Sequence, residues 1–345
     1  MAYAAWPTGL PGLLVERAPV SRSGDARARG EAEGGAMRRL LAAFSAGALG
    51  VEVTDDALSA RLQIATLDHG RIRMPRKSNL TYALVEAGCS DQDTLIQDIL
   101  PHHPQALSLS FEPLLDKYAF HVGNASAEFH GKNAMDLGVP LGHASRRSIV
   151  LPLAISEDGG VQTIYVSPVA GCSSLAKVNS RGTWANAKCR SVMESRLVDS
   201  ITLADAIALV PPTLPILRLK IDVQGVDFRV VRSVPADVLR SRVVFLDVEV
   251  RKKTCATLYE GQEDCAIVLS HMASIGFDLV LPGAAGSTRT LPGCAHLPWD
   301  NACEANARFL NRAMRGVAGA LPLPYIFHSK KTWHNLPKVD EEHGR

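Results

Sequence analysis

From Thr81 onward, short apolar runs alternate with stretches whose apolar residues recur at helical spacing. Strands are predicted at Thr81–Ala87, Ala106–Phe111, Ser148–Ile155, Gln162–Val166, Arg196–Ile201, Leu214–Ile221, Val243–Val250, Phe277–Leu281 and Ala307–Leu310. Helices are predicted at Asp91–Leu100, where Leu95, Ile96 and Ile99 share a face, and from Pro113 to about His121, with the proline in the first turn. Two more follow at Val226–Val234 and Glu263–Ile275; in the second, Ala266, Leu269, Met272 and Ala273 line one side and Gly276 supplies a stop. Such alternation predicts an α/β domain with a mostly parallel sheet covered by helices on both faces. Right-handed crossovers would gather the C-terminal strand ends on one rim, where open sheets bind ligands.

The N-terminal third lacks this texture. Residues 1–36 are rich in Ala, Gly, Arg, Pro and Ser and read as a disordered segment, most clearly over Ser21–Gly35. Residues 37–78 read as a helical extension, with helices over Met37–Leu62, 79–315 as the main domain and 316–345 as a tail. The early arginines raise an organelle-targeting peptide, against which Glu16, Asp25, Glu31 and Glu33 count.

Composition narrows the class. Hydrophobic residues make up 46% of the 345 and charged residues 21%, which suits a globular chain with a core. With 37 basic and 35 acidic residues, no nucleic-acid footprint is expected. Leu40–Leu49 is apolar but too short to span a membrane, so no membrane partner is expected either. The seven cysteines are odd in number and contain no CxxC pair, so reduced thiols in a cytoplasmic protein are expected rather than zinc or a disulfide framework. Cys294 and Cys303 are close enough in sequence to pair, but nothing there requires it.

Three constellations carry candidate chemistry. In Val85-Glu86-Ala87-Gly88-Cys89-Ser90-Asp91 a buried strand enters a tight turn and a helix begins near Asp91. Gly88 permits close backbone approach, and free N–H groups at a helix start can hold an anion; an ordinary capped turn has the same pattern. Glu112, in Ser110-Phe111-Glu112-Pro113, sits where a carboxylate grips ribose hydroxyls in nucleotide folds, or where a surface acid meets a helix dipole. In Leu219-Lys220-Ile221-Asp222-Val223-Gln224-Gly225, a strand delivers Asp222 to the same rim. Asp222 could hold a cofactor's amino end, orient a hydroxyl, act as a base or cap the next helix. Lys220 is unusual in an apolar strand and reads either as a functional residue or as an exposed edge position. Asp247 and Glu249 make one face of a later strand acidic; Glu249 either faces the site or pairs with Arg251 or Lys252. No histidine spacing suits a metal, and no metal site is expected.

In this order the blocks VEAGCSDQDT (85–94), SFEP (110–113), LPLAISEDGG (151–160), VSPVAGCSSL (166–175), VDSITLADAI (198–207), LKIDVQGVDFRVVRSV (219–234) and VVFLDVEV (243–250) resemble the FkbM-type S-adenosylmethionine-dependent methyltransferases. The segments YEGQEDC, GFDLV and CEANARFLNR extend the likeness to residue 312. The resemblance implies a Rossmann-like seven-stranded sheet with one antiparallel strand near its end. It implies S-adenosyl-L-methionine as cofactor, bound by Glu86, Gly88, Ser90 and Asp91, with Glu112 on the ribose, Ala154 and Ile155 near the adenine, and Asp222 beside the methionine moiety or the acceptor. The acceptor would be a small molecule or sugar-like compound, methylated on oxygen. From their placement on the rim, Asp222 or Glu249 is expected to act as the base. The sequence departs from this family at Glu86, where Asp is common, at Cys89, where Ala is common, and at Asn306, where an acid is common.

An NAD(P)-dependent oxidoreductase shares the strand, turn and ribose acid. It would normally carry a richer GxGxxG and a placed Tyr proton donor, and neither is present. A non-catalytic relative would keep the fold and lose the cofactor.

Overall fold

The computed structural model describes residues 66–68, 71–74, 78–90, 94–129, 143–169, 171–179, 189, 192–282, 288–299 and 303–320. The expected disordered segment 1–36, the Met37–Leu62 helices, Asp91 and residues 321–345 lie outside them.

The strands, in chain order, are β1 (Thr66–Asp68), β2 (Arg71–Arg73), β3 (Tyr82–Ala87), β4 (Ala106–Phe111), β5 (His143–Ser145), β6 (Ser148–Leu151), β7 (Ala154–Ser156), β8 (Gly160–Val166) and β9 (Glu194–Thr202). After them come β10 (Ile216–Ile221), β11 (Val243–Arg251), β12 (Phe277–Pro282), β13 (Thr288–Thr290) and β14 (Glu304–Asn311). The α-helices are α1 (Leu115–Phe129), α2 (Leu203–Leu209), α3 (Asp227–Arg232), α4 (Ala236–Arg242), α5 (Cys265–Ser274) and α6 (Arg315–Ala320).

The main sheet has nine strands in the order β13-β12-β14-β11-β10-β3-β4-β6-β5. Strands β6, β4, β3, β10 and β11 run parallel, and β14 is antiparallel to both β11 and β12. The expected seven strands with one antiparallel member are thus extended by two short edge strands, β13 and β5, each antiparallel to its neighbour. β3 and β4 are buried at every position, and in sequence both are mostly apolar, interrupted only by Glu86 in β3 and by Ser108 and Ser110 in β4.

Several expectations need correction. Ser148–Ile155 is not one strand: Pro152 and Leu153 interrupt it, and β7 joins a separate three-stranded sheet ordered β7-β9-β8. Proline has no N–H to continue the ladder. The 37–78 extension is not helical where described, because β1 and β2 form an antiparallel hairpin. The expected Asp91–Leu100 helix is present as a π-helix over Leu95–Ile99, capped by Thr94 and continued by a 3-10 turn to His102, while 91–93 lie outside the described residues.

The reduced-thiol expectation also fails. Disulfides join Cys172 to Cys189, Cys255 to Cys303 and Cys265 to Cys294. Cys294 and Cys303 are both bridged, but not to each other. An odd total is no obstacle, because Cys89 stays a buried thiol. Among the described residues no helix is long and apolar enough to cross a membrane.

Candidate functional site

The chain passes from β3 to β4 on one side and returns to β10 on the other, so the crevice between β3 and β10 is the sheet's topological switch point. The rim there is knitted by backbone bonds. Gly88 N and Cys89 N donate to Phe111 O, and Asp222 N donates to Ala87 O at 3.0 Å. Gly88 has φ +77°, and a Cβ on it would fall 1.9 Å from Asp222 O. No other residue fits this turn without moving the backbone of β10's end.

Ser90 also takes a left-handed conformation, φ 45°. Its N–H donates to Glu112 Oε2 at 2.8 Å, its hydroxyl accepts from Lys117 Nζ at 2.7 Å, and its carbonyl meets His121 Nε2. Glu112 Oε1 accepts from Leu114 N at 2.9 Å. Glu112 therefore locks the Gly88–Ser90 turn to the start of α1. Burial pushes its carboxyl up to about 7, against the pull of those two N–H groups and Lys117. Each oxygen accepts one bond from the protein, which leaves a lone pair on each for a ligand hydroxyl.

Glu86, one residue before the end of β3, is fully buried. Lys220 Nζ donates to its Oε1 at 2.8 Å, and Leu95 N donates to its Oε2 at 2.8 Å. Lys220 lies 3.4 Å from Asp222 Oδ2 as well. Burial would lower the Lys220 pKa, but Glu86 and Asp222 outweigh it and hold the ammonium above its usual range. The lysine that looked out of place in an apolar strand thus links the floor of the glycine turn to the acid on the rim.

Asp222 is partly exposed and is also held by Gln224 Nε2 at 2.8 Å. Asp227, which the sequence reading did not single out, is buried. Its two oxygens accept from Val223 N at 2.9 Å and Gly225 N at 2.7 Å, closing the loop after β10. Burial raises its pKa, and the charge of Asp222 adds to the rise. Glu249 stands one strand further over, opposite Asn306 of β14. Carboxylate oxygens of Asp222, Asp227 and Glu249 all lie within 4.8 Å of one another. This convergence was not legible beforehand, since it depends on the β10–β11 register. A divalent cation could bridge such oxygens, although both of Asp227's already accept backbone N–H bonds.

Tyr259 closes the cluster from above. It is fully buried, donates to Gln224 Oε1 at 3.2 Å and packs on Gly225, where a Cβ would come within 2.3 Å of its ring. Burial raises its pKa, reinforced by Glu249, Glu304, Asp227 and Asp222, so its hydroxyl remains a donor at neutral pH. The sequence carried no signal for it, because Tyr259 comes from an irregular loop.

Asp247 belongs to the wall rather than the site. It sits between Arg218 at 2.6 Å and Arg308 at 2.6 Å. Register places Glu86, Lys220, Asp247 and Arg308 side by side across four strands, so signs alternate along a row beneath the rim. Ala154 and Ile155 are buried in β7, just beyond the rim end of β6, whose Leu151 O accepts from Glu112 N at 3.0 Å.

No protein-family model matches this chain, and no curated protein matches it. One solved structure is similar, the magnesium protoporphyrin IX methyltransferase of Synechocystis PCC 6803 with bound SAM. The likeness covers 85% of this chain and 100% of that one, at 10% identity and a TM-score of 0.30. A similarity this distant carries no argument about function.

Proposed function

We propose that this chain is an S-adenosylmethionine-dependent methyltransferase that acts on a small polar acceptor. The observation that carries the reading is Gly88 packed against Asp222 at the switch point, with Glu112 at the end of the adjacent strand. The strand order β6-β4-β3-β10-β11-β14-β12, with β14 alone reversed, agrees with the sheet that the sequence resemblance implies.

The close approach of the Gly88 turn to the backbone of Asp222 supports a cofactor here, because no side chain of that turn stands between the ends of β3 and β10. Glu112 would take the ribose hydroxyls, Asp222 the amino end, and the segment of Ala154 and Ile155 would flank the adenine. Glu86 would act on the turn from beneath, through Leu95 N and Lys220, rather than touch the cofactor. When bound, the cofactor supplies an electrophilic methyl group on a sulfonium.

The chain's own residues would have to hold an acceptor hydroxyl against the bound cofactor and take up its proton. Asp222 is assigned to the cofactor side, because its backbone packs on the Gly88 turn and its carboxylate stands beside Lys220. Glu249, one strand further out, is assigned as the base. Titration of S-adenosylhomocysteine into two variants separates these roles. Asp222→Asn should weaken binding about tenfold, while Glu249→Gln should bind normally and lose methyl transfer to any acceptor found. Unchanged affinity in Asp222→Asn would overturn the cofactor side of this assignment.

A further inference from the structure

The six bridged cysteines are not scattered over the fold. Cys255 follows β11 and Cys303 precedes β14, so their bridge fastens the rim end of that antiparallel pair, where Lys252 N also donates to Cys303 O at 2.7 Å. Cys265 opens α5 and Cys294 lies in the 3-10 turn before β14, so the second bridge is nested inside the first. Between Cys255 and Cys265 runs the loop that carries Tyr259 and Gln262. The third bridge, Cys172 to Cys189, anchors a segment that pairs with this same loop. Val178 bridges Tyr259, Asn179 N donates to Leu258 O, and Glu260 N donates to Lys177 O. That segment also reaches the end of β10, through Ser174 Oγ donating to Gln224 O.

We infer that this chain matures in an oxidising compartment and that its three disulfides form a redox lock on the loop layer over the Asp222–Glu249 rim. The strands β6, β4, β3 and β10 beneath are hydrogen-bonded to one another and buried without help from any cysteine pair. The layer above it is irregular backbone, and its order depends on cross-links that shorten its loops. Thiol-reducing compartments would not preserve three such bridges, whereas secretory or periplasmic ones would. Reduction adds two electrons and two protons to each bridge. A dithiol reductant supplies them and is itself oxidised to a disulfide. The expected result is a folded sheet with a loosened rim. The inference stands on the bridges alone and does not depend on which ligand the rim binds.

The test uses the full chain purified from its native host with thiols blocked at lysis. After denaturation without reductant, alkylation should label Cys89 and no other cysteine, and peptide mapping should return the three pairs named above. Hydrogen exchange is then measured before and after a phosphine or dithiol reductant. Residues 252–264, 294–299 and 303–304 should exchange about tenfold faster or more, while β3, β4 and β10 keep their protection. Seven reactive thiols in the native-source protein would overturn the compartment. Intact bridges with unchanged rim exchange on reduction would overturn the lock. The Cys172→Ser/Cys189→Ser variant, which leaves the nested pair in place, should loosen 171–179 and 257–260 alone.

Discussion

A side-chain carbon at Gly88 would sit 1.9 Å from the carbonyl oxygen of Asp222. This single contact sets how closely the turn after β3 approaches the end of β10. Gly88→Ala must either move that carbonyl or abandon φ +77°. The expected loss is roughly 2–4 kcal/mol in denaturant unfolding, with cofactor binding lost as well. A variant of wild-type stability and affinity would show that the turn is not held as described.

If Glu112 takes the ribose hydroxyls as proposed, ligand binding should depend on pH. Its carboxyl is raised by burial to about 7 from an ordinary 4.5. For folding, the neutral form is the favoured one in the native state. The stability it contributes is therefore complete below about 4.5 and lost as pH rises through about 7. Ligand hydroxyls need the carboxylate, so binding runs the other way. Affinity for S-adenosylhomocysteine should be about tenfold weaker at pH 6 than at pH 8, and Glu112→Gln should remove that dependence. Calorimetry across this range is the check; a flat profile in the wild type would remove Glu112 from the ribose.

Asp247→Asn should be costly to the fold. Burial alone would raise Asp247, but the guanidiniums of Arg218 and Arg308 outweigh it and hold the carboxyl at about 2. The pair's stabilisation is therefore present above pH 4 and lost as pH falls towards 2. Removing the charge takes away the carboxylate that two half-buried guanidiniums both bond, an expected loss of about 3 kcal/mol. Equilibrium unfolding at pH 7 measures it. The S-adenosylhomocysteine affinity of the folded fraction should stay within about threefold of wild type.

Cys265→Ser/Cys294→Ser opens the inner of the two nested bridges. Loop-closure entropy puts the expected destabilisation at about 2–4 kcal/mol. The same variant measured with reductant present should show a smaller difference from wild type, because both then lack the bridge.

The parts of the fold legible in the sequence are those where burial is complete. β3 and β4 are buried throughout and β10 is buried except at half-buried Arg218 and Lys220, so their apolar positions mark the strands, and Gly88, Glu112 and Asp222 follow from where those strands stop. Ser148–Ile155 misled because Leu151, Leu153 and Ile155 stay apolar through the break and only Pro152 marks it. α2 and α4 passed unnoticed, being two-turn helices without a sustained period. Asp227, Tyr259 and the disulfide partners depend on contacts between distant segments. The Cys255–Cys303 bridge spans 48 positions, and no local pattern announces it.

The central claim is that the β3–β10 crevice holds S-adenosylmethionine. Calorimetry at pH 8 with S-adenosylmethionine, S-adenosylhomocysteine and NAD tests it most directly. Saturable heats for the first two, abolished by Gly88→Ala, with none for NAD, are the expected result. Binding of NAD alone, or of none of the three by the oxidised, folded chain, would contradict it.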